Sequence, residues 1–204
     1  SYNAKLIEDN KLIDKNKGYL KVEIYSSYVD SVGGGFPLIS GHSWIKITNQ
    51  GFIDNIADSY ITICGYGLNK DEFMTIGLWN TIDVHKGVWL NLEQYMKSKN
   101  DLAYKDCVSI STLITYEEKE KIESYIKNNA KEYSLLNYNC THFAVEIWNS
   151  LFTKIILNAN TPFELYNCIK LYNIENLEFK SSKDYEYGYY DLGFKKYKFN
   201  TLQI

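Results

Sequence analysis

The run Leu136-Asn137-Tyr138-Asn139-Cys140-Thr141-His142-Phe143 sets a thiol among amide, hydroxyl and imidazole groups just ahead of an apolar helical stripe. Asn is a favoured N-cap, so Asn139 is expected to accept from an early helical amide and leave Cys140 at the first helical position. Unpaired amides and the positive end of the macrodipole gather there, and both favour a thiolate. A cysteine so placed can ionise well below its ordinary pKa of about 8.5. The same amides can hold the oxyanion that forms when a thiolate attacks a carbonyl. The chemistry on offer is nucleophilic acyl transfer.

The other three cysteines lack that setting. Cys168 lies beside Leu165 and Ile169 on an apolar stripe, Cys64 ends the run Ile61-Thr62-Ile63, and Cys107 follows Asp106 in a polar turn. Their spacing fits neither a CxxC metal pattern nor a dense disulfide framework, and it leaves the disulfide state of Cys64, Cys107 and Cys168 open. No metal site and no cofactor is expected. A nucleophilic cysteine needs a base, and His42 is the best placed of the three histidines. It follows Gly41 at the start of a predicted strand, shares a face with Trp44, and leaves Ile45 and Ile47 for the core. A strand-start imidazole opposite a helix-start thiol is the geometry of a Cys–His dyad. His142 falls about 200° around the helix from Cys140, and His85 sits in the polar loop Asp83-Val84-His85-Lys86-Gly87. Neither is expected to act as the base.

The order Gly41-His42-Ser43-Trp44-Ile45, then Asn139-Cys140-Thr141-His142-Phe143, resembles the circularly permuted papain-like cysteine enzymes, in which histidine precedes cysteine in the chain. These include the lecithin–retinol acyltransferase relatives, with an Asn-Cys-Glu-His-Phe motif, and bacterial permuted NlpC-type hydrolases. The resemblance covers roughly residues 19–155. It implies a papain-like α+β fold with Cys140 as nucleophile and His42 as general base. It also implies a third residue, taken from a strand beside the histidine strand, that orients the imidazole. Asn91 and Glu93 alternate with Val88, Leu90 and Leu92, so both are expected to face away from the core and reach His42. Asp54, a tight hairpin beyond His42, is the alternative. Thr141 stands where the acyltransferase motif carries its acidic residue.

Elements must bring these groups together. Leu20, Val22 and Ile24 alternate with Lys21, Glu23 and Tyr25 as in a half-buried strand, and Gly33-Gly34-Gly35 forms a flexible loop before the His42 strand. Further β-prone runs are Tyr60–Cys64, Phe73–Trp79, Val88–Leu92 and Val108–Ile114, with no helical pattern between most of them, so the sheet should be mostly antiparallel. Thr115-Tyr116-Glu117-Glu118 is a capping box, and Thr161-Pro162 opens a short helix. Between those two helices, Phe143, Ala144, Ile147, Trp148, Leu151 and Phe152 form the stripe that packs the Cys140 helix on the sheet. The expected organisation is an N-terminal arm over 1–18, a catalytic domain over 19–180, and a Tyr-rich tail or hairpin over 181–204.

Composition narrows the partners. The 204 residues carry a net charge of -3 and 22 basic residues, all lysine, so bidentate arginine reading of phosphate or guanine is unavailable. Nucleic acid is not an expected partner. The sequence has no run of 18 apolar residues, hence no expected transmembrane segment. Amide substrates suit the reaction class: a peptide, a peptidoglycan stem or a glutamine side chain, attacked to give a thioester at Cys140. Trp44, Trp79 and Trp89 are expected to line the cleft, with Asn139 at the substrate. One alternative is a catalytically silent papain-like module, binding or toxin-associated, that uses its aromatic surface, since 19 tyrosines suit contact. A further alternative is lipid-directed acyl transfer. The resemblance and the start at Ser1 together lean toward an exported bacterial protein.

Overall fold

The computed structural model describes residues 4–6, 13–28, 41–52, 59–80, 87–99, 104–129, 131–151, 153–172, 174–191 and 196–198. Among them are the strands β1 (Lys5–Leu6), β2 (Tyr19–Ser27), β3 (His42–Gly51), β4 (Ile61–Ile63), β5 (Tyr66–Leu68), β6 (Phe73–Trp79), β7 (Gly87–Leu90), β8 (Cys107–Thr115), β9 (Gly188–Asp191) and β10 (Lys196–Lys198). The helices are α1 (Leu92–Lys99), α2 (Lys119–Asn129), α3 (Cys140–Ser150) and α4 (Pro162–Lys170). Eight strands join in the order β1-β8-β2-β3-β6-β7-β9-β10, while β4 and β5 pair separately. Every pairing is antiparallel except β1 with β8. The fold is α+β.

The side-chain period of two divides the work of the sheet. Leu20, Val22 and Ile24 of β2, Ile45 and Ile47 of β3, and Ile76 and Leu78 of β6 face one way and are fully buried. Phe143, Ala144, Ile147, Trp148 and Leu151 of α3 pack on them, with Ile122 of α2 and Leu165 of α4 in the same core. Each fully buried large apolar side chain contributes roughly 1.5–3 kcal/mol, so this stripe is what holds the Cys140 end of α3 against β3. The opposite face is covered too. Tyr25, Trp44, Tyr104, Cys107, Leu177 and Phe179 form a second cluster, and Trp79, Trp89 and Leu92 a third.

Two local features place the histidine strand. β2 and β3 pair from Tyr19–Gly51 to Ser27–His42, so His42 stands at the open end of the sheet. Gly41, just before it, has φ of +102°, and a Cβ there would run into the Ser27 carbonyl oxygen. Only glycine fits that approach.

Several expectations need correction. The run from Val88 does not continue as a strand through Glu93. Asn91 adopts φ of +61°, which Asn tolerates better than most residues, and the chain turns directly into α1 with Glu93 in its first turn. The Asn91 side chain fixes that turn, accepting from the Thr75 amide (2.9 Å) and the Gln94 amide group (2.9 Å) and donating to the Glu186 carbonyl (2.6 Å). At the N-terminus, Lys5–Leu6 add a strand to the sheet where the sequence reads as an arm. At the C-terminus, where the sequence leaves a tail or a hairpin open, β9 and β10 pair antiparallel and join β7 through Trp89–Tyr189 and Leu90–Gly188. The Gly33–Gly35 loop lies outside the described residues.

Candidate active site

Asn139 has the extended conformation of an N-cap (φ -104°, ψ -175°). Its Oδ1 accepts from the amides of Thr141 (2.9 Å) and His142 (3.1 Å). His142 Nδ1 in turn accepts from the Asn139 amide at 3.0 Å, closing a reciprocal capping box. Because Nδ1 accepts, the ring proton sits on Nε2, which reaches Asn160 Oδ1 at 3.1 Å. Asn139 Nδ2 donates to the carbonyls of Leu135 (3.1 Å) and Asn160 (2.7 Å). The cap thus takes up the second and third helical amides and leaves that of Cys140 unclaimed among the described residues.

Across from that helix start stands His42, 13% exposed at its side chain, with Nε2 3.7 Å from Oε1 of the fully buried Glu93. That separation is a charge pairing longer than a hydrogen bond. Trp79 Nε1 donates to the other carboxylate oxygen at 3.3 Å. The imidazole lies between two indoles: Trp79 at 4.0 Å between ring centroids, and Trp44, stacked, at 5.4 Å. Tyr25 stacks behind Trp44 at 5.2 Å. Gly77 makes the meeting of carboxylate and imidazole possible. A Cβ there would run into Glu93 Oε1 and come within 3.2 Å of His42 Nε2.

The electrostatics follow from this packing. Burial works against a charged His42 ring, but the hydrogen bond with Cys140 and then Glu93 outweigh it and lift its pKa from 6.5 to about 9. Burial also works against a Cys140 thiolate. The His42 ring and the Ser43 backbone amide outweigh it, and the thiol is held below its ordinary value. Both shifts favour the charged forms, a thiolate beside an imidazolium.

The remaining candidates are elsewhere or otherwise engaged. Asn91 holds the β7–α1 turn and does not orient the ring. Asp54 and His85 lie outside the described residues. Trp44 and Trp89 are fully buried, so they back the site and do not line an open cleft. Asn139 acts as the helix cap, with both side-chain ends engaged within the protein. Burial pushes the Cys107 thiol up to about 12, the reverse of activation. None of the four cysteines is joined in a disulfide. Sequence reasoning does not pick out Ser43 or Gly77. The available signal is a glycine inside the strand pattern Phe73–Trp79, a mark of close approach by another group.

A groove of about 480 Å³ lined by Gly65, Tyr66, Gly67 and Lys183 to Glu186 shares no residue with this site. Comparison of the chain with known protein families, curated proteins and solved structures finds no match.

Proposed function

We propose that this chain is a cysteine-dependent acyl-transfer enzyme of the permuted papain-like type, acting on an amide bond through a thioester at Cys140. The observation that carries the reading is the convergence of three separate segments on one thiol and its imidazole: the α3 N-terminus with Cys140, the start of β3 with His42, and the first turn of α1 with Glu93 against His42. In the forward step the Cys140 thiolate attacks the amide carbonyl, forming an S–C bond. The oxyanion is received by the Cys140 amide that the cap leaves open. Collapse breaks the C–N bond, and the imidazolium of His42 gives its proton to the departing amine. Water, or an amine acceptor, then attacks the thioester with His42 as base, returning the thiol.

An amide suits this site better than an ester. Amines leave only when protonated, and His42, with a pKa of about 9, is a protonated acid across the neutral range. Glu93 supports that acid electrostatically from a buried position where it is not hydrated. The aromatic binding-module reading draws less support, because Trp44 and Trp89 are enclosed. No helix among the described residues is long and apolar enough to cross a membrane.

Two measurements test the proposal. Iodoacetamide at about pH 6 should label Cys140 far ahead of Cys107, and His42→Ala should remove that preference. Incubation with a peptide and glutamine-amide panel should leave an acyl mass on Cys140 that hydroxylamine releases. Equal labelling of Cys107 and Cys140, or labelling indifferent to His42→Ala, would overturn the reading.

A further inference from the structure

Three buried hydroxyls run away from the nucleophile. Cys140 Sγ is 4.0 Å from Thr141 Oγ1, which is 2.9 Å from Ser43 Oγ, which is 3.2 Å from Ser26 Oγ. The chain ends where Ser26 Oγ donates to the Pro162 carbonyl at 2.7 Å. All three side chains are completely buried, so no bulk water is available to satisfy them. A carbonyl oxygen only accepts, and this fixes the direction of every link. Ser26 gives its proton to Pro162, Ser43 gives its own to Ser26, and Thr141 gives its own to Ser43. Three protons fill three links, and none is left for sulfur.

We propose that this chain is a positioning device for the nucleophile: the Pro162 carbonyl at the start of α4 turns the Thr141 hydroxyl so that its lone pair, not its proton, faces Cys140. The inference rests on Cys140 being the nucleophile. A lone pair beside sulfur disfavours the thiolate, and turning the Thr141 proton to sulfur would leave one buried link without a proton. The chain therefore restrains the charge that His42 and the Ser43 amide promote. Thiolate formation and hydroxyl direction are coupled. The other ionisable groups that face the thiol are His42 from β3, Glu93 from α1 behind it, and Tyr133 from the segment before α3. None of them belongs to the hydroxyl chain, so substitutions in the chain leave them in place.

The pH dependence of Cys140 alkylation, read by mass at that residue, separates the possibilities by sign. In Ser26→Ala, Ser43 loses its acceptor and donates to Thr141, whose proton then turns to sulfur. The alkylation midpoint should move to lower pH by about half to one unit, the size of one hydroxyl dipole reversing near a charge in a poorly polarisable interior. Thr141→Val, nearly the same shape, should give a midpoint at or below that of the wild type. The double variant should match Thr141→Val, because Ser26 acts through Thr141. Thr141→Ser should keep the wild-type midpoint. A higher midpoint in Thr141→Val would mean that Thr141 donates to the thiolate in the native protein, and the proposal would fall. An unmoved or raised midpoint in Ser26→Ala would have the same result. Should Ser26→Ala not fold, the sign of the Thr141→Val shift decides alone. His42→Ala keeps the two levels apart: if it leaves the midpoint unmoved, the nucleophile reading fails. If it moves the midpoint and Ser26→Ala does not, only the role of the chain fails.

Discussion

Glu93 meets His42 over a residue with no side chain, and that makes Gly77 as necessary to the site as either charged partner. Gly77 has no positive φ, so Gly77→Ala tests space and not backbone strain. The added methyl should push the carboxylate off the imidazole and lower turnover by roughly 10–100-fold, the usual cost of losing such a supporting contact. Circular dichroism should show the fold intact. Glu93→Gln removes the charge at nearly constant shape. In the proposed reaction the imidazolium is the proton donor, so wild-type turnover should fall as pH rises through about 9. Without Glu93 that alkaline limb should move toward the ordinary histidine value of about 6.5. A limb unmoved in the pH–rate profile would deny the carboxylate its role. Cys140 and His42 are legible in the sequence because a capped helix start and a glycine-led strand start are local patterns. Glu93 is legible only as a candidate, since its approach depends on a turn that a single Asn makes.

At the level of elements, the cap of α3 does two jobs with one side chain. Asn139 satisfies two helical amides and ties the segment around Leu135 to the carbonyl of Asn160. Asn139→Ala should cost about 1–2 kcal/mol, at the upper end for a lost cap because buried partners are orphaned with it. Thermal denaturation would show this as a lower Tm, and alkylation at about pH 6 should slow as the helix start frays. The Thr115–Glu118 capping box and the Thr161-Pro162 opening of α4 were readable because each is a short pattern with its own hydrogen bonds. α1 was not. Its apolar residues continue the β7 run, and periodicity does not separate a buried strand from a short helix when the break is a left-handed Asn91.

On the scale of the whole molecule, the sheet is buried on both faces, and the second face is closed by residues from near the end of the chain. Phe179 packs edge-on against Tyr25 and Trp44, whose ring supports His42. Its backbone amide donates to the Tyr104 carbonyl at 2.8 Å. Phe179→Ala should destabilise the fold by about 3–5 kcal/mol, as for other buried aromatic truncations, measurable by urea unfolding. An antiparallel sheet was foreseeable from strand runs without helices between them. The order of its strands was not, because β8 pairing with β2, and β1 alongside it in parallel, depends on contacts between distant segments. The indoles that hold the His42 ring have an optical consequence. Two of the four tryptophans, Trp44 and Trp79, lie against an imidazole that is charged below about pH 9 and neutral above it. A charged imidazole in ring contact quenches indole emission, so the intrinsic fluorescence of the protein should report the ionisation of His42, brightening as the proton leaves.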